Sequence, residues 1–253
     1  MASPIRFEDL PSPRLTDDQQ RLLQEAEVSP APLRADAILD AAAALLRAHG
    51  YRRVSIDDVA AGAGVGKGTI YLHWRTREAL FWAVLQRETL QLLEQLIADL
   101  AADPELALPQ RLISRLLVEL DGRPLVRALL MSDKEVLGAL TADESVAAAQ
   151  REMTGQPDYL QLLRDQGLLR AELSVEAAGH VLNCVIQGFF AGAETASPPP
   201  VAEQATLLAF VLSRSLAAEQ SPTPDQVAGL GRSVIGLFTA ITDVQRRQLQ
   251  QAY

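Results

Sequence analysis

Residues 55–71 read SIDDVAAGAGVGKGTIY, and this stretch decides the fold of the N-terminal part of the chain. Ser55 is a favoured N-cap residue, and the acidic residues that follow it suit the first turn of a helix. The Gly-Ala-Gly of residues 62–64 predicts a tight turn that tolerates a positive φ. Apolar residues return at Val65 and Ile70, which predicts a second short helix. Two short helices joined by a glycine turn form a helix-turn-helix, whose second helix can enter the major groove of DNA.

Two other interpretations of the glycine-rich turn are open at this point. A phosphate-binding loop requires a glycine five residues before the Gly-Lys pair and a Ser or Thr after the lysine. Those positions hold Ala61 and Gly68, and no strand pattern precedes the loop, so a nucleotide site is disfavoured. The second alternative is a helical hairpin without DNA contact, because glycine turns between helices are common.

The residues that follow the turn favour DNA binding. Residues 67–80, KGTIYLHWRTREAL, resemble the TetR family of bacterial transcriptional regulators. The family pattern has a Lys-Gly-Thr-like start, an apolar residue, Tyr, any residue, His, an aromatic residue and then Ser-Lys-Glu-Ala-Leu at the next helix. Order and spacing agree over about residues 33–81. Two positions depart from the pattern: Gly66 stands where Ser is frequent, and Trp74 replaces the usual Phe.

The resemblance implies a set of DNA-binding residues on the second helix and at the starts of its neighbours: Ser55, Lys67, Gly68, Thr69, Tyr71, His73 and Arg77. Lys67 and Thr69 carry groups that can reach base edges or phosphates, and Gly68 allows the backbone to approach closely. The other four would hydrogen-bond phosphate oxygens, which positions a protein on DNA without reading its sequence.

Composition and charge set the wider frame. The chain has 253 residues, 48% of them hydrophobic, and a net charge of −9. The acidic total argues against a nucleic-acid binder, but residues 33–80 alone hold seven basic and five acidic side chains. A single cysteine, Cys184, excludes an internal disulfide. The N-terminus lacks the apolar core of a signal peptide, and the uncharged stretch 177–193 is short and polar for a membrane span. A cytoplasmic protein without membrane association is expected.

The spacing of apolar residues predicts an all-α chain in three parts. Residues 1–32, with five prolines, form a partly ordered extension, residues 33–80 a helix-turn-helix domain, and residues 81–253 a larger helical effector-binding and dimerisation domain. The predicted helices lie near residues 33–49, 56–61, 67–73, 77–102, 108–120, 125–140, 143–153, 158–165, 175–193, 201–219 and 225–250.

Two of these helices are predicted to form the dimer interface. Helix 175–193 has two uncharged stripes and is therefore expected to be buried all round. The last helix also carries apolar residues at helical spacing, so the pair from each subunit would make a four-helix contact. The expected interface residues are Val185, Gly188, Phe189, Val234, Leu237 and Ile241.

The same helix 175–193 is predicted to supply an effector pocket, with His180, Asn183, Cys184 and Gln187 as its residues. His180 and Cys184 are one turn apart, a spacing that could suit a soft metal or a thiol sensor. A metal needs further ligands and none are marked, so packed interface or pocket residues are the favoured interpretation. No metal and no cofactor are expected.

These patterns predict a homodimeric transcriptional regulator rather than an enzyme. It would repress transcription from a palindromic double-stranded DNA operator and be released by a small-molecule effector that changes the spacing of the two recognition helices. The alternative from another class is a helical enzyme or ligand carrier whose helix-turn-helix is vestigial.

Overall fold

The computed structural model describes residues 31–131, 133, 137, 156–193 and 197–251. Within these residues the fold is all-α, as predicted, apart from one isolated antiparallel bridge between Leu169 and Ala217. The α-helices are α1 (Ala31–His49), α2 (Ile56–Ala63), α3 (Lys67–His73), α4 (Arg77–Ala102), α5 (Pro109–Asp121), α6 (Pro124–Leu130), α7 (Gln156–Asp165), α8 (Val175–Ala193), α9 (Val201–Ser215) and α10 (Pro224–Gln251). Short 3-10 turns precede α2 and α5.

Most helix predictions are confirmed to within two residues. The predicted single helix 125–140 is wrong, because α6 ends at Leu130 and the Asp133 N–H, which is not helical, donates back to the Ala128 carbonyl at 2.9 Å. The predicted helix 143–153 and nearly all of the predicted N-terminal extension lie outside the described residues, as does most of 131–140. Helix α9 ends at Ser215, four residues before its predicted end, because the chain then pairs with the segment after α7. There the Ala218 N–H donates to the Leu168 carbonyl at 3.1 Å, and the Arg170 N–H donates to the Leu216 carbonyl at 2.8 Å.

The N-terminal helices close around a compact apolar core. Side chains from α1, α2, α3 and the first turns of α4 are buried together, with Ile38, Ile70, Trp74, Leu80 and Phe81 among the most deeply buried. The rings of Tyr51 and Phe81 meet edge to face with centroids 5.5 Å apart. The apolar spacing that predicted three helices therefore also supplies their shared core.

Helix α4 carries this core into the rest of the molecule. It runs without a break from Arg77 to Ala102, so the predicted domain boundary at residue 80 falls inside a continuous helix. An ion pair fastens it to α1, with Arg47 Nη1 2.5 Å from Glu88 Oε1. Burial raises the pKa of Glu88, and the charge of Arg47 opposes that rise. At the far end of the chain, Gln86 donates to Gln248 at 3.1 Å and so ties α10 to α4.

A second apolar cluster joins the later helices. It draws on α5, α7, α8, α9 and α10, and its fully buried members include Leu163, Leu212, Leu230 and Val234. Helix α9 lies along α5, and α10 lies along α4. These packings create the walls of the cavity described below.

One described helix is apolar enough to cross a membrane by length and composition alone. It is the stretch Pro224–Leu249 of α10, and most of its apolar part is not buried in the single chain. The exposed positions of α10 include Gly236, Thr239, Ala240 and Val244. A largely uncharged helix that is mostly uncovered in one subunit is also what a dimer interface requires.

Candidate nucleic-acid interface and apolar cavity

The start of α2 is fixed by a reciprocal hydrogen-bond pair, as its sequence predicts. Ser55 Oγ accepts from the Asp58 N–H at 3.2 Å, and an Asp58 carboxylate oxygen accepts from the Ser55 N–H at 2.8 Å and from the Ser55 hydroxyl at 2.6 Å. These hydrogen bonds lower the pKa of Asp58, with the hydroxyl contributing most. The capping box leaves Ser55 half-exposed at the positive end of the helix dipole.

The turn between α2 and α3 uses only one of its two predicted glycines, because Gly62 still lies in the last turn of α2 and Gly64 makes the reversal. Gly64 has φ 66°, in the left-handed region where a Cβ is strained, and its N–H bonds the carbonyls of the last turn of α2. The chain can therefore reverse within two residues and begin α3 at Lys67. Only residues 64–66 therefore separate the two helices of the motif along the chain.

The first turn of α3 is presented to solvent. Lys67 and Gly68 are exposed and Thr69 is half-exposed, and a Cβ at Gly68 would meet no atom within 4 Å. Lys67 Nζ lies 2.9 Å from Asp57 Oδ2, and this hydrogen-bonded contact raises the pKa of Lys67. Asp57 thus holds the ammonium group at the mouth of the turn, where a DNA phosphate or a guanine could take its place.

The last turn of α3 presents two further exposed side chains. Tyr71 is 44% exposed and Leu72 is 82% exposed. His73 is half-exposed, and its Nδ1 has no hydrogen-bond partner among the described residues. Leu72 is absent from the predicted DNA-binding set. The helical period of α3 places Leu72 on the outward face, and an apolar side chain at such a position could have been noticed in the sequence.

Arg77 is engaged inside the protein rather than extended toward solvent. Its Nε donates to the Val54 carbonyl at 2.9 Å, and a terminal nitrogen donates to the Tyr51 carbonyl. The guanidinium carbon also lies 4.2 Å from the centroid of the Tyr51 ring and 4.8 Å from that of Phe81. The side chain therefore clamps the 3-10 turn before α2 onto α4. Its predicted phosphate contact would have to use the part that remains exposed.

Three other arginines near this clamp form no ion pair with a described residue. Arg52 and Arg53 lie in the 3-10 turn that Arg77 grips, and Arg75 lies in the link between α3 and α4. All three are exposed and have no ion pair within the described part of the chain. They are absent from the predicted set, although the positive charge of residues 33–80 comes partly from them. Only the folded structure shows which arginines are unpaired.

Helices α4 to α10 enclose a cavity of about 150 Å³ on the side of the second cluster. Leu, Ile, Val, Phe and Met side chains form its described wall, together with three polar residues, Thr89, Tyr159 and Asn183. The described wall contains no charged residue. A cavity of about this size with an apolar lining stays dry and can hold a ring the size of benzene.

The structure divides the four residues predicted for the pocket. Asn183 lines the cavity, whereas His180, Cys184 and Gln187 lie on the exposed face of α8 and do not. Cys184 Sγ is 3.7 Å from His180 Nε2. Both faces of α8 are uncharged, so its sequence alone does not tell which face points inward. The cavity takes the stripe that contains Leu182 and Ile186.

The residues predicted for the dimer interface differ in whether a partner subunit could reach them. Val234 is 0% exposed within the core of its own subunit, so it cannot contact a partner. Phe189 is partly buried and lines the cavity. Gly188 is exposed, and Val185, Leu237 and Ile241 are half-buried.

Helix α8 has one face packed inside the subunit and one face exposed to solvent. The prediction that it is buried all round is wrong for the single chain, because only Ala178 and Leu182 are fully buried in it. The stripe of His180, Cys184 and Gln187 is exposed and carries no charge. An uncharged exposed stripe beside a packed one is typical of a helix that a second subunit covers.

One short helix touches both the cavity and the N-terminal core. Val126 and Leu130 of α6 line the cavity. Leu125, Ala128 and Leu129, on the other side of the same helix, belong to the core formed by α1 to α4. Helix α6 therefore lies between the cavity and helix α1 of the N-terminal core.

An ion-pair network beside the cavity ties α4, α5 and α6 together. Arg115 lies 2.9 Å from Asp99, and Glu119 pairs with both Arg115 and Arg123. Although burial acts to raise the pKa of Glu119, the hydrogen bonds from Arg123 and Arg115 lower it. Elsewhere, the described residues include no group of three or more His, Cys, Asp or Glu that could hold a metal ion.

Comparison with known proteins agrees with this geometry. Residues 38–84 match the family model described as bacterial regulatory proteins, tetR family. No curated protein matches the chain.

Solved structures share the fold at low sequence identity. NalD, the secondary repressor of the MexAB-OprM multidrug efflux pump in Pseudomonas aeruginosa, has TM-score 0.54 at 22% identity, covering 76% of this chain and 100% of that one. The fatty acid degradation regulator FadR from Bacillus halodurans has TM-score 0.51 at 18% identity, covering 70% and 96%. The TetR family protein CprB from S. coelicolor has TM-score 0.51 at 19% identity, covering 84% and 98%.

Proposed function

We propose that this chain, a DNA-binding regulator of the TetR family, is a homodimeric repressor that a small apolar effector releases from its operator. The observation that carries the proposal is the position of α6, with one side on the cavity and the other in the core of the helix-turn-helix. A regulator of this kind needs a ligand site and a mechanical connection to its DNA-binding surface, and α6 provides the connection.

Operator recognition would rest on α3 and its surroundings. Lys67, Gly68 and Thr69 would enter the major groove at the exposed first turn, and Tyr71 and His73 would hold phosphates. Ser55 would add a phosphate contact at the start of α2, where backbone N–H groups and the helix dipole favour an anion. The unpaired Arg52, Arg53 and Arg75 would supply further charge at the backbone.

Two copies of the chain would place two recognition helices on one face of DNA. The exposed, uncharged stripe of α8 and the exposed side of α10 are the proposed interface, with Gly188 where the helices approach. A two-fold dimer contacts half-sites about one helical turn, roughly 34 Å, apart, and an inverted repeat mirrors that symmetry. The interface thus sets the spacing on which operator affinity depends.

The effector would act by filling the cavity. An apolar molecule against Val126 and Leu130 displaces α6, and α6 carries the N-terminal core with it because Leu125 and Leu129 are locked there. Packed cores are bistable rather than continuously deformable, so a small shift can change the separation of the two recognition helices. The effector then prefers the form that fits the operator poorly, and the population shifts toward it.

Selection of bound sequences from a random DNA pool, followed by binding assays on the selected site, tests the proposal. The full-length chain should enrich an inverted repeat. A cavity-filling variant, Leu116→Phe, should bind that site more weakly than wild type while staying dimeric, because the added ring imitates an occupied cavity. Val118→Phe, on the exposed side of the same helix, is the matched control and should bind as wild type does.

The two arms separate the parts of the proposal. Failure to enrich any sequence would overturn the regulator assignment. Enrichment of an inverted repeat, with Leu116→Phe binding as tightly as Val118→Phe, would leave DNA recognition standing and overturn release through the cavity.

A further inference from the structure

The described wall of the cavity carries one buried hydroxyl group to which no described residue forms a hydrogen bond. Thr89 of α4 is 2% exposed, and its Oγ1 has no hydrogen-bond partner among the described residues. It lies in the same lining as Leu92, Leu93 and Leu96. On a helix, residues three, four and seven positions apart share a face, so this hydroxyl points into the space that those leucines enclose. A buried polar group left unpaired in apolar surroundings is unfavourable and calls for a partner.

The other polar groups of the described wall are already satisfied. The Tyr159 hydroxyl donates to the Ala107 carbonyl at 2.8 Å, and burial raises the pKa of this tyrosine well above its ordinary value, which keeps it neutral. Asn183 is exposed and can be solvated at the rim. The neighbour of Thr89, Glu88, pairs with Arg47 and is not part of the lining. Thr89 is therefore the unassigned polar group of the described wall.

We propose that Thr89 is the hydrogen-bonding contact for the effector, and that the effector is a neutral, largely hydrocarbon molecule with a single carbonyl or hydroxyl oxygen. This inference rests on the proposed function, in which the cavity is the effector site. The apolar wall accommodates the hydrocarbon part, and the hydroxyl of Thr89 donates to a carbonyl or accepts from an alcohol. Anionic ligands are disfavoured because the described wall offers no cation to compensate a buried charge.

The same position connects the ligand to the rest of the molecule. Thr89 follows directly on Glu88, whose ion pair with Arg47 fastens α4 to α1 of the helix-turn-helix domain. A ligand oxygen bound at Thr89 would therefore be held at the end of the cavity nearest the DNA-binding domain. Its hydrocarbon part would extend along Leu93 and Leu96 of the same helix face.

A pair of probes that differ only in the oxygen tests this assignment. Cyclohexanone and methylenecyclohexane have nearly the same shape, but only the ketone accepts a hydrogen bond. Titration calorimetry on the full-length protein should show wild type binding the ketone about 3- to 10-fold more tightly than the alkene, the worth of one neutral hydrogen bond. Thr89→Val, which removes the hydroxyl at nearly constant volume, should abolish or invert that preference. Thr89→Ser should retain it.

A second buried hydroxyl provides the control. Ser114 Oγ is also buried without a partner among the described residues, but Ser114 does not line the cavity, so Ser114→Ala should keep the preference for the ketone. An equal preference in wild type and Thr89→Val would overturn the role of Thr89, as would loss of the preference in Ser114→Ala. Failure of wild type to bind either probe would overturn the ligand class. Sequence selection without any probe reports on the DNA-binding part of the proposed function separately.

Discussion

The helix-turn-helix and the cavity region are built from the same kinds of residues but solve opposite problems. In the first, the side chains of Ile38, Trp74 and Phe81 are shut away from solvent between short helices. In the second, leucine-rich helices leave about 150 Å³ open among them. A closed core fixes one geometry for reading DNA, whereas an open one can change shape when it is filled. In the proposed function, rigidity and response would thus use different parts of one chain, joined by α4 and α6.

The two regions also differ in how their helix faces are used. In the N-terminal part each helix has one inward and one outward face, and Ile70 and Leu72 of α3 illustrate the two. Helix α8 instead has an apolar face toward the cavity and an uncharged face toward solvent. We expect a second subunit to cover this uncharged exposed face, and substitutions on each face distinguish packing from association.

The largest expected effect is the difference between placing arginine at Val234 and placing it at Gly188. Val234→Arg places a charge in the closed core of one subunit and should destabilise folding by about 4 kcal/mol or more. Gly188→Arg should leave the subunit folded, because a Cβ there meets no atom within 4 Å, but should dissociate the dimer. Chemical denaturation measures the first effect, and sedimentation measures the second.

Leu207→Arg serves as the matched control for surface charge. Leu207 is exposed on α9, a helix that is not part of the proposed interface, so this variant should stay dimeric and bind operator. A Gly188→Arg protein that is dimeric and binds operator as wild type does would place the interface on another face. A monomeric wild type would remove the dimer altogether.

A smaller effect separates two arginines that are two residues apart. Arg77→Ala should lower the free energy of unfolding by about 2–3 kcal/mol, since it removes two carbonyl hydrogen bonds and the stacking on Tyr51. Arg75→Ala should change stability by less than about 0.5 kcal/mol and lower the salt slope of operator binding by about one. Denaturation and salt titration of both variants measure these quantities. If Arg77→Ala kept full stability and lost one unit of salt slope, Arg77 would be a phosphate ligand and not a clamp.

The smallest expected effect is a pH dependence beside the cavity. The pKa of Glu119 is lowered in the folded protein, so this carboxylate contributes stability above its unfolded pKa, about 4.3, and the contribution is lost as pH falls through the lowered value. Glu119→Gln should therefore cost on the order of 1 kcal/mol at pH 7, and this cost should shrink as pH falls through the lowered pKa. Denaturation across this range measures the difference.

Glu88 offers a comparison of opposite sign. Burial raises its pKa, so protonation of Glu88 as pH falls favours the folded state. Glu88→Gln should remove that gain in stability on the acid side.

If Glu119→Gln differed from wild type equally at pH 7 and pH 3, the network around Arg115 would not depend on the charge of Glu119.

The sequence by itself determined the local structure and the identity of the DNA-binding part. The cap at Ser55, the left-handed Gly64 and the run from Lys67 to Leu80 depend on contacts within a few residues, so their physics is visible in the order of the side chains. Most helix boundaries follow for the same reason, as those of α4 do, whereas the end of α9 depends on pairing with the distant segment after α7.

Only the tertiary structure decided which side of each later helix faces which neighbour. The sequence of α8 has two uncharged stripes, and hydrophobicity is not directional, so the choice of Leu182 and Ile186 for the cavity comes from the helices packed around them. The inward orientation of Arg77 likewise depends on a carbonyl that is distant in sequence. The hydroxyl of Thr89 has no hydrogen-bond partner among the described residues, which the sequence of α4 does not reveal. Long-range packing selects among locally equivalent faces, and in this protein that selection created the cavity and placed α6 between it and the N-terminal core.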